Sequence, residues 1–513
     1  MVSYDFVAEP TSTQLTGFAG LLPYIDLACV LGVLQSVDEQ VGVAGPQGWL
    51  DRQHVLALML LNLAGGECIE DIRLLEADAG LCRIVREAEK YGLDRRRRRE
   101  LERRFRKERA RTFPSPTRLY EYLNEFHDAA QEQQRVAGKA FIPTPNAHLT
   151  GLTAVNTALV GAVQRHRPQL VATLDIDATL QETHKREALW CYQGYRAYQP
   201  LNVYWAQTGL LVHSEFRDGN VPAGYEVLRV LQAGLAALPA GIERIYVRMD
   251  SAGYQHDVLK FCATGDGGRR AVIEFTVSND MTVEFRQAAL RVAESEWQPL
   301  YRTERGKQVA TGQEWAQVVY VPNAIAFSKE APEYRYLAIR ERLEQGVLPG
   351  MEGLEQQPEL PFATVVMQGT AYRLKGIVTN REGDGAELIH WHYQRCGKSE
   401  EAHAILKTDL AGGRLPSGKF GANAAWWAIA VLAYNLQAAM RLLALPGPLT
   451  NKRLKALRFA LIAVPGRVME HGRQLFVRLR AQHPALAWLR QMRREIRGLL
   501  AGAGRVGLAA APS

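Results

Sequence analysis

A chain of 513 residues is too long for one ordinary domain and implies two to four units, and its 47% apolar content is ample for a globular core. Six scattered cysteines (Cys29, Cys68, Cys82, Cys191, Cys262, Cys396) with no C-x2-C pair argue against a zinc ribbon or a disulfide framework and fit a reducing compartment. The net charge of +8 is concentrated: eleven Lys/Arg against three Glu between Arg95 and Arg111, and twelve Lys/Arg against two Glu between Lys452 and Arg497, which suggests a polyanion bound at defined places rather than only solvated helix faces.

The chain opens MVSYDFVAEP, with acids and a proline where a signal peptide has its apolar run, so a cytoplasmic location is expected. Leu21–Val37 and Arg52–Ala64 carry apolar residues at helical spacing, and Gly65-Gly66 interrupts the pattern before Glu67 to Leu75 resumes it. The arginine run from Arg95 is compatible with a helix. Phe113-Pro114-Ser115-Pro116 makes a rigid break, after which Thr117 is placed to cap the helix RLYEYLNEFHDAA. FIPTPNAH then serves as a linker out of a helical N-terminal region, residues 1–145.

From about residue 168 the period changes. LVATLDIDATL is strand-like, and LNVYWAQTGLLVHSEFRDG reads as a hairpin turning at Gln207-Thr208-Gly209. A helix (Tyr225 to Leu238), the strand IERIYVRMD, the helix GYQHDVLKFCA and the strand RRAVIEFTV follow, which is an α/β pattern. Residues 279–387 differ: short β-like runs alternate with Gly/Pro-rich loops such as QGVLPGMEGLEQQPELP, the mark of a β-rich insertion. Helical pattern returns in EEAHAILKTDL. The apolar helix from Ala424 to Leu445 carries Asn435, Gln437 and Arg441, so it reads as a buried helix rather than a membrane span, which needs about 20 nearly unbroken apolar residues. The last hundred residues read as basic helices.

Asp177 lies near the end of the first strand, and Asp175, two residues before it, projects from the same face. Asp250 ends a second strand. Strand ends are where α/β sheets place ligands, although either Asp alone is more simply a turn or cap residue. With Glu400 on a later helix, three acids are candidates to converge. Converging carboxylates repel and need a cation, and the natural occupant is a pair of Mg²⁺ ions about 4 Å apart, bridged by a phosphodiester oxygen. Such sites cut and join nucleic acids.

These residues resemble the DDE transposases of bacterial insertion sequences, in the group with a β-rich insertion before the glutamate. The matching stretches are Asp177-Ala178-Thr179, Arg248-Met249-Asp250-Ser251 and the glutamate-bearing helix. The family's Y-x2-R-x3-E-x6-K signature falls on Tyr393, Cys396, Glu400 and Lys407, so one position departs: cysteine stands where the signature has arginine, with Arg395 beside it. In the family that arginine helps hold DNA phosphates near the cleaved end.

The resemblance implies an α/β fold with a ribonuclease H-like catalytic core (165–278 and 388–446) interrupted by the insertion (279–387), a helical N-terminal DNA-binding region and a basic helical C-terminal region (447–513). It implies Asp177, Asp250 and Glu400 as catalytic and metal-binding residues, with two Mg²⁺ for which Mn²⁺ substitutes. Tyr393, Lys407 and Arg395 are the expected DNA contacts near the cut. Arg96, Arg97, Arg98, Arg103 and Arg104 are expected DNA contacts in the basic helix. Partners would be double-stranded DNA, both terminal inverted repeats and target, and a second copy in a synaptic homodimer, with no membrane.

Trp190, Tyr192, Tyr195 and Tyr198, interleaved with Lys185, Arg186 and Arg196, suit stacking on unpaired bases or plain strand packing. Trp297 is a candidate for base stacking by family analogy, with core packing the simpler reading. His403, three residues after Glu400 on the same helix face, is placed to sit near the metals, although E-x2-H is more simply incidental. No Gly-rich phosphate loop appears, so no ATP dependence is expected. Cys396 keeps one alternative open, an impaired transposase that binds DNA ends as a regulator. A glycoside hydrolase with paired carboxylates is the other, disfavoured by the third acid and the basic segments.

Overall fold

The computed structural model describes residues 14–105, 109–136, 138–265, 272–322, 333–343, 363–472 and 474–506. Its centre is the strand Val171–Ala178 (β1), whose VATLDIDA sequence is buried from Ala172 to Ile176, as expected of a strand covered on both faces. The hairpin Leu201–Trp205 (β2) and Leu210–Glu215 (β3) lies antiparallel on one side of β1. Arg244–Met249 (β4) runs parallel to β1 on the other side, and Glu274–Ser278 (β5) runs parallel to β4. The helices Val227–Ala237 and His256–Thr264 precede β4 and β5, because parallel neighbours need a crossover.

The strands expected as an insertion are Gln298–Glu304 (β6), Lys307–Val318 (β7), Arg335–Arg342 (β8), Thr364–Met367 (β9) and Thr370–Thr379 (β10). They lengthen the same sheet. β10 pairs with β5 through Ile377 and Ser278, and the order is β6-β7-β8-β10-β5-β4-β1-β2-β3, with β9 on β10. Leu300, Trp315, Leu337, Ile339 and Ile377 form a second small core, closed by Leu388 and Ile389. The Gly/Pro-rich loop at 345–361 and the start of the expected RRAVIEFTV strand, residues 269–271, lie outside the described residues.

Further helices are Asp51–Ala64 (α1), Ala147–His166 (α2), Gly385–Tyr393 (α3), Arg395–Ala404 (α4) and Phe420–Leu443 (α5). α5 is buried from Phe420 to Met440 except at Ala428 and packs on α1, α2 and β3. Its buried Asn435 is satisfied internally: it donates to Asn156 Oδ1 at 2.6 Å and accepts from the Leu211 amide at 2.8 Å. Among the described residues no single helix is long and apolar enough to cross a membrane.

Two expectations are corrected. Ser115, not Thr117, caps the helix Pro116–Asn124, because Pro116 at the first helical position needs no N–H partner there. The C-terminal part is not helical throughout: Gly466–His471 and Gln474–Arg478 form a hairpin that Leu15–Thr16 extends. Val468 buries one face there while arginines alternate outward, a period of two that net charge conceals.

Candidate active site

The register of β1 and β4 decides what each acid does. Asp175 pairs across the parallel ladder with Arg248, and both side chains are buried. Arg248 grips it bidentately, Nε to Oδ1 at 2.6 Å and Nη2 to Oδ2 at 2.8 Å, and donates its remaining arm to the Trp391 carbonyl. Asp175 is therefore tied into a buried ion pair that pins α3 to the sheet.

Asp177, two residues on, reaches the sheet's end, where the strand leaves the core. Its carboxyl is pushed up to about 6, first by burial and then by the negative charges of Asp250 and Glu400, against the opposing pull of Arg395 and the Ser399 hydroxyl. Asp250 follows Met249, the partner of Ile176, so the two aspartates leave the same end of adjacent parallel strands. Asp250 Oδ1 also accepts from the Ala252 amide at 3.0 Å, capping a short 3₁₀ turn. It thus fills the turn role and neighbours Asp177 at once.

Glu400 is carried by α4. Cys396 and Gly397 are not helical (Gly397 at φ 92°, ψ −43°), so the chain breaks there and restarts just before Ser399. Ser399 is buried against β1, its single proton shared between Asp177 Oδ2 and the Arg395 carbonyl, each at 3.3 Å. Glu400 is exposed and lines an open groove of about 430 Å³ with Asp177, Thr179, Tyr192, Tyr195 and Lys407. Lys407 lies in a π-helical turn, Ile405–Asp409, half-buried, with Nζ donating to the Leu180 carbonyl at 3.2 Å.

The other predicted residues scatter. Tyr393 does not enter the groove: it packs against the second core with its hydroxyl buried, and burial pushes that phenol up to about 12. As placed here it is closed to a phosphate. Arg395 points inward, Nη1 3.8 Å from Asp177 Oδ2, while Cys396 is exposed. In the basic helix Arg95–Arg103, Arg97 and Arg103 are exposed and Arg96 pairs with Glu100 at 2.8 Å. Arg98 turns back to the Leu93 carbonyl, and Arg104 holds the Gly45 and Gly48 carbonyls, a structural task. Trp297 is buried under the Arg340 guanidinium, 4.3 Å from its ring centre.

Of the aromatic cluster, Tyr198 is buried, whereas Trp190 and Tyr192 are 60% and 78% exposed on a small hairpin beside the groove. Two contacts were beyond reach of spacing: Ser399 on Asp177, and Asn202, whose amide meets His403 Nε2 at 3.1 Å. Only the β1–β2 register reveals the second.

Hard carboxylate oxygens are the donor set of a divalent cation, and the mutual repulsion felt at Asp177 is of the kind such a cation relieves. The acids are not a preassembled cage: among the described residues no three His, Cys, Asp or Glu side chains are grouped to hold a metal ion. Arg395 provides the nearby positive charge.

The family described as Transposase DDE domain group 1 matches residues 51–321 and 351–501, most of the chain. No curated protein matches the sequence. Among solved structures, a piggyBac transposase synaptic complex with hairpin DNA is similar at a TM-score of 0.43 and 8% identity, over 96% of this chain and 82% of that one.

Proposed function

The chain belongs to the transposase DDE domain group 1 family, and we propose that it excises and inserts a bacterial insertion sequence by a cut-and-paste route, with Asp177, Asp250 and Glu400 as its catalytic acids. Membership makes it a transposase, an enzyme of DNA recombination. The observation that carries the finer reading is the groove in which Asp177 and Glu400 stand with Lys407, Asp250 leaving the same strand ends. The order β3-β2-β1-β4-β5, with acids at the ends of β1 and β4, supports a ribonuclease H-like core.

The three acids would hold Mg²⁺, as two ions, or Mn²⁺ in its place. When bound, such ions stabilise charge on the attacking and leaving oxygens of a phosphodiester. The chain's own groups do the rest. Lys407 and Arg395 receive the phosphate flanking the cut. Tyr192 and Tyr195 present aromatic faces to a base at the groove's edge. Exposed arginines of Arg95–Arg103 add sequence-independent affinity that falls with salt. Two copies would hold two ends and a target duplex, in the cytoplasm.

The test is incubation of labelled DNA carrying the element's own ends with the full chain, with Mg²⁺ and with chelator. Mg²⁺-dependent nicking that leaves a 3′-hydroxyl supports the proposal. Tight end binding with no cutting in Mg²⁺ or Mn²⁺ replaces it with a DNA-bound regulator.

A further inference from the structure

Behind Asp177 a line of polar side chains crosses the sheet. Asp177 is the cross-strand partner of Asn202, and Asn202 of Ser214, so all three project from one face of β1, β2 and β3. α4 and α5 bring His403 and Trp427 onto that face. Asn202, Trp427 and His403 are all buried.

The direction of each hydrogen bond follows from its end. An indole N–H can only donate, and Trp427 Nε1 donates to Ser214 Oγ at 2.8 Å. The Ser214 hydroxyl donates in turn to Asn202 Oδ1 at 2.6 Å. That leaves the Asn202 amide N–H to face His403 Nε2 at 3.1 Å, where it must donate. With the Nε2 lone pair taken, a neutral His403 carries its proton on Nδ1, the nitrogen 3.9 Å from Asp177 Oδ2. The reverse order would set a bare Nδ1 lone pair against a carboxylate. Ser399, Arg395 and His403 all address the same carboxylate oxygen, Oδ2.

We propose that His403 is a positioning residue for Asp177: an imidazole locked as the Nδ1–H tautomer by Trp427, Ser214 and Asn202, whose Nδ1–H faces Oδ2 from 3.9 Å and helps fix the carboxylate's orientation. The inference rests on Asp177 acting as a catalytic acid. Outer partners of metal-binding groups are typically worth about 10- to 100-fold in affinity or activity. The relay gives His403 that standing.

The test compares His403→Asn, His403→Leu and Asn202→Asp in the full chain, with nicking, end binding and circular dichroism measured together. Asparagine offers an N–H where Nδ1 stood, and leucine fills the space without one. The relay predicts that His403→Asn nicks about tenfold or more faster than His403→Leu. A packing role predicts the opposite order, which overturns the proposal. Asn202→Asp replaces the donor with an acceptor and is expected to cost about 10- to 100-fold.

Nitrogen-15 spectra of histidine-labelled protein, with the His403 signals identified by their loss in His403→Asn, read the tautomer without any catalysis. A protonated Nδ1 supports the relay, and a protonated Nε2 overturns it whatever the enzyme does. Wild-type nicking by Asp177→Asn would instead remove the catalytic reading, and the proposal with it.

Discussion

The Arg395 guanidinium stands 3.8 Å from Asp177 Oδ2, while Cys396, one residue on, is exposed at a break in the backbone. The positive charge therefore reaches the acid from the residue before the signature position, because Cys396 and Gly397 leave the helical path. Restoring the signature with Cys396→Arg is expected to change nicking of labelled ends by less than about threefold, and Arg395→Ala to lower it about tenfold or more. A large gain from Cys396→Arg would show that the signature position faces DNA after all.

Gly397 adopts φ 92°, which side chains other than glycine's rarely adopt, and a Cβ there would meet no atom within 4 Å. The cost of Gly397→Ala is thus one of backbone strain, about 1–3 kcal/mol. Relief of that strain would swing Glu400, so nicking is expected to fall further than the unfolding midpoint alone explains. Unchanged nicking would mean that the break does not aim the helix.

The Asp175–Arg248 pair is fully enclosed, and Asp175→Ala strands a buried guanidinium. The expected loss is about 3–5 kcal/mol, read as a lowered urea midpoint. A loss below about 1 kcal/mol would mean that water reaches the pair.

His54 stacks on Tyr122 at 4.1 Å, and burial lowers it to about 4 from an ordinary 6.5. A depressed histidine favours the folded state above its unfolded value, so stability should fall as pH drops from 6.5 toward 4. The slope is at most about 1.4 kcal/mol per pH unit for this group. His54→Phe keeps the stack without the titration, and its urea midpoint should depend less steeply on pH over that window. Parallel profiles would contradict the assignment.

Local pattern revealed the strands, the Gln207-Thr208-Gly209 turn and the buried character of the helix bearing Asn435, since each depends on a period of two or 3.6 within a few residues. Register was hidden. Nothing in the spacing tells that Asp175 meets Arg248, that Asn202 stands between Asp177 and Ser214, or that β10 docks on β5. Tyr393 shows the same limit: the signature implies a place near the cut, but the backbone breaks at Gly397 between it and Glu400, and the ring packs on the second core. In the C-terminal part Val468 and its neighbours alternate and make a hairpin, a period that the surrounding arginines mask.

On the proposed function, Asp177, Asp250 and Glu400 act as one set. The most direct measurement is Mg²⁺-dependent nicking of the element's ends by Asp177→Asn, Asp250→Asn and Glu400→Gln, each with end binding measured in parallel. Every one is expected to lose about a thousandfold or more in nicking while binding stays within about threefold. Near wild-type cutting by any one of the three would contradict it.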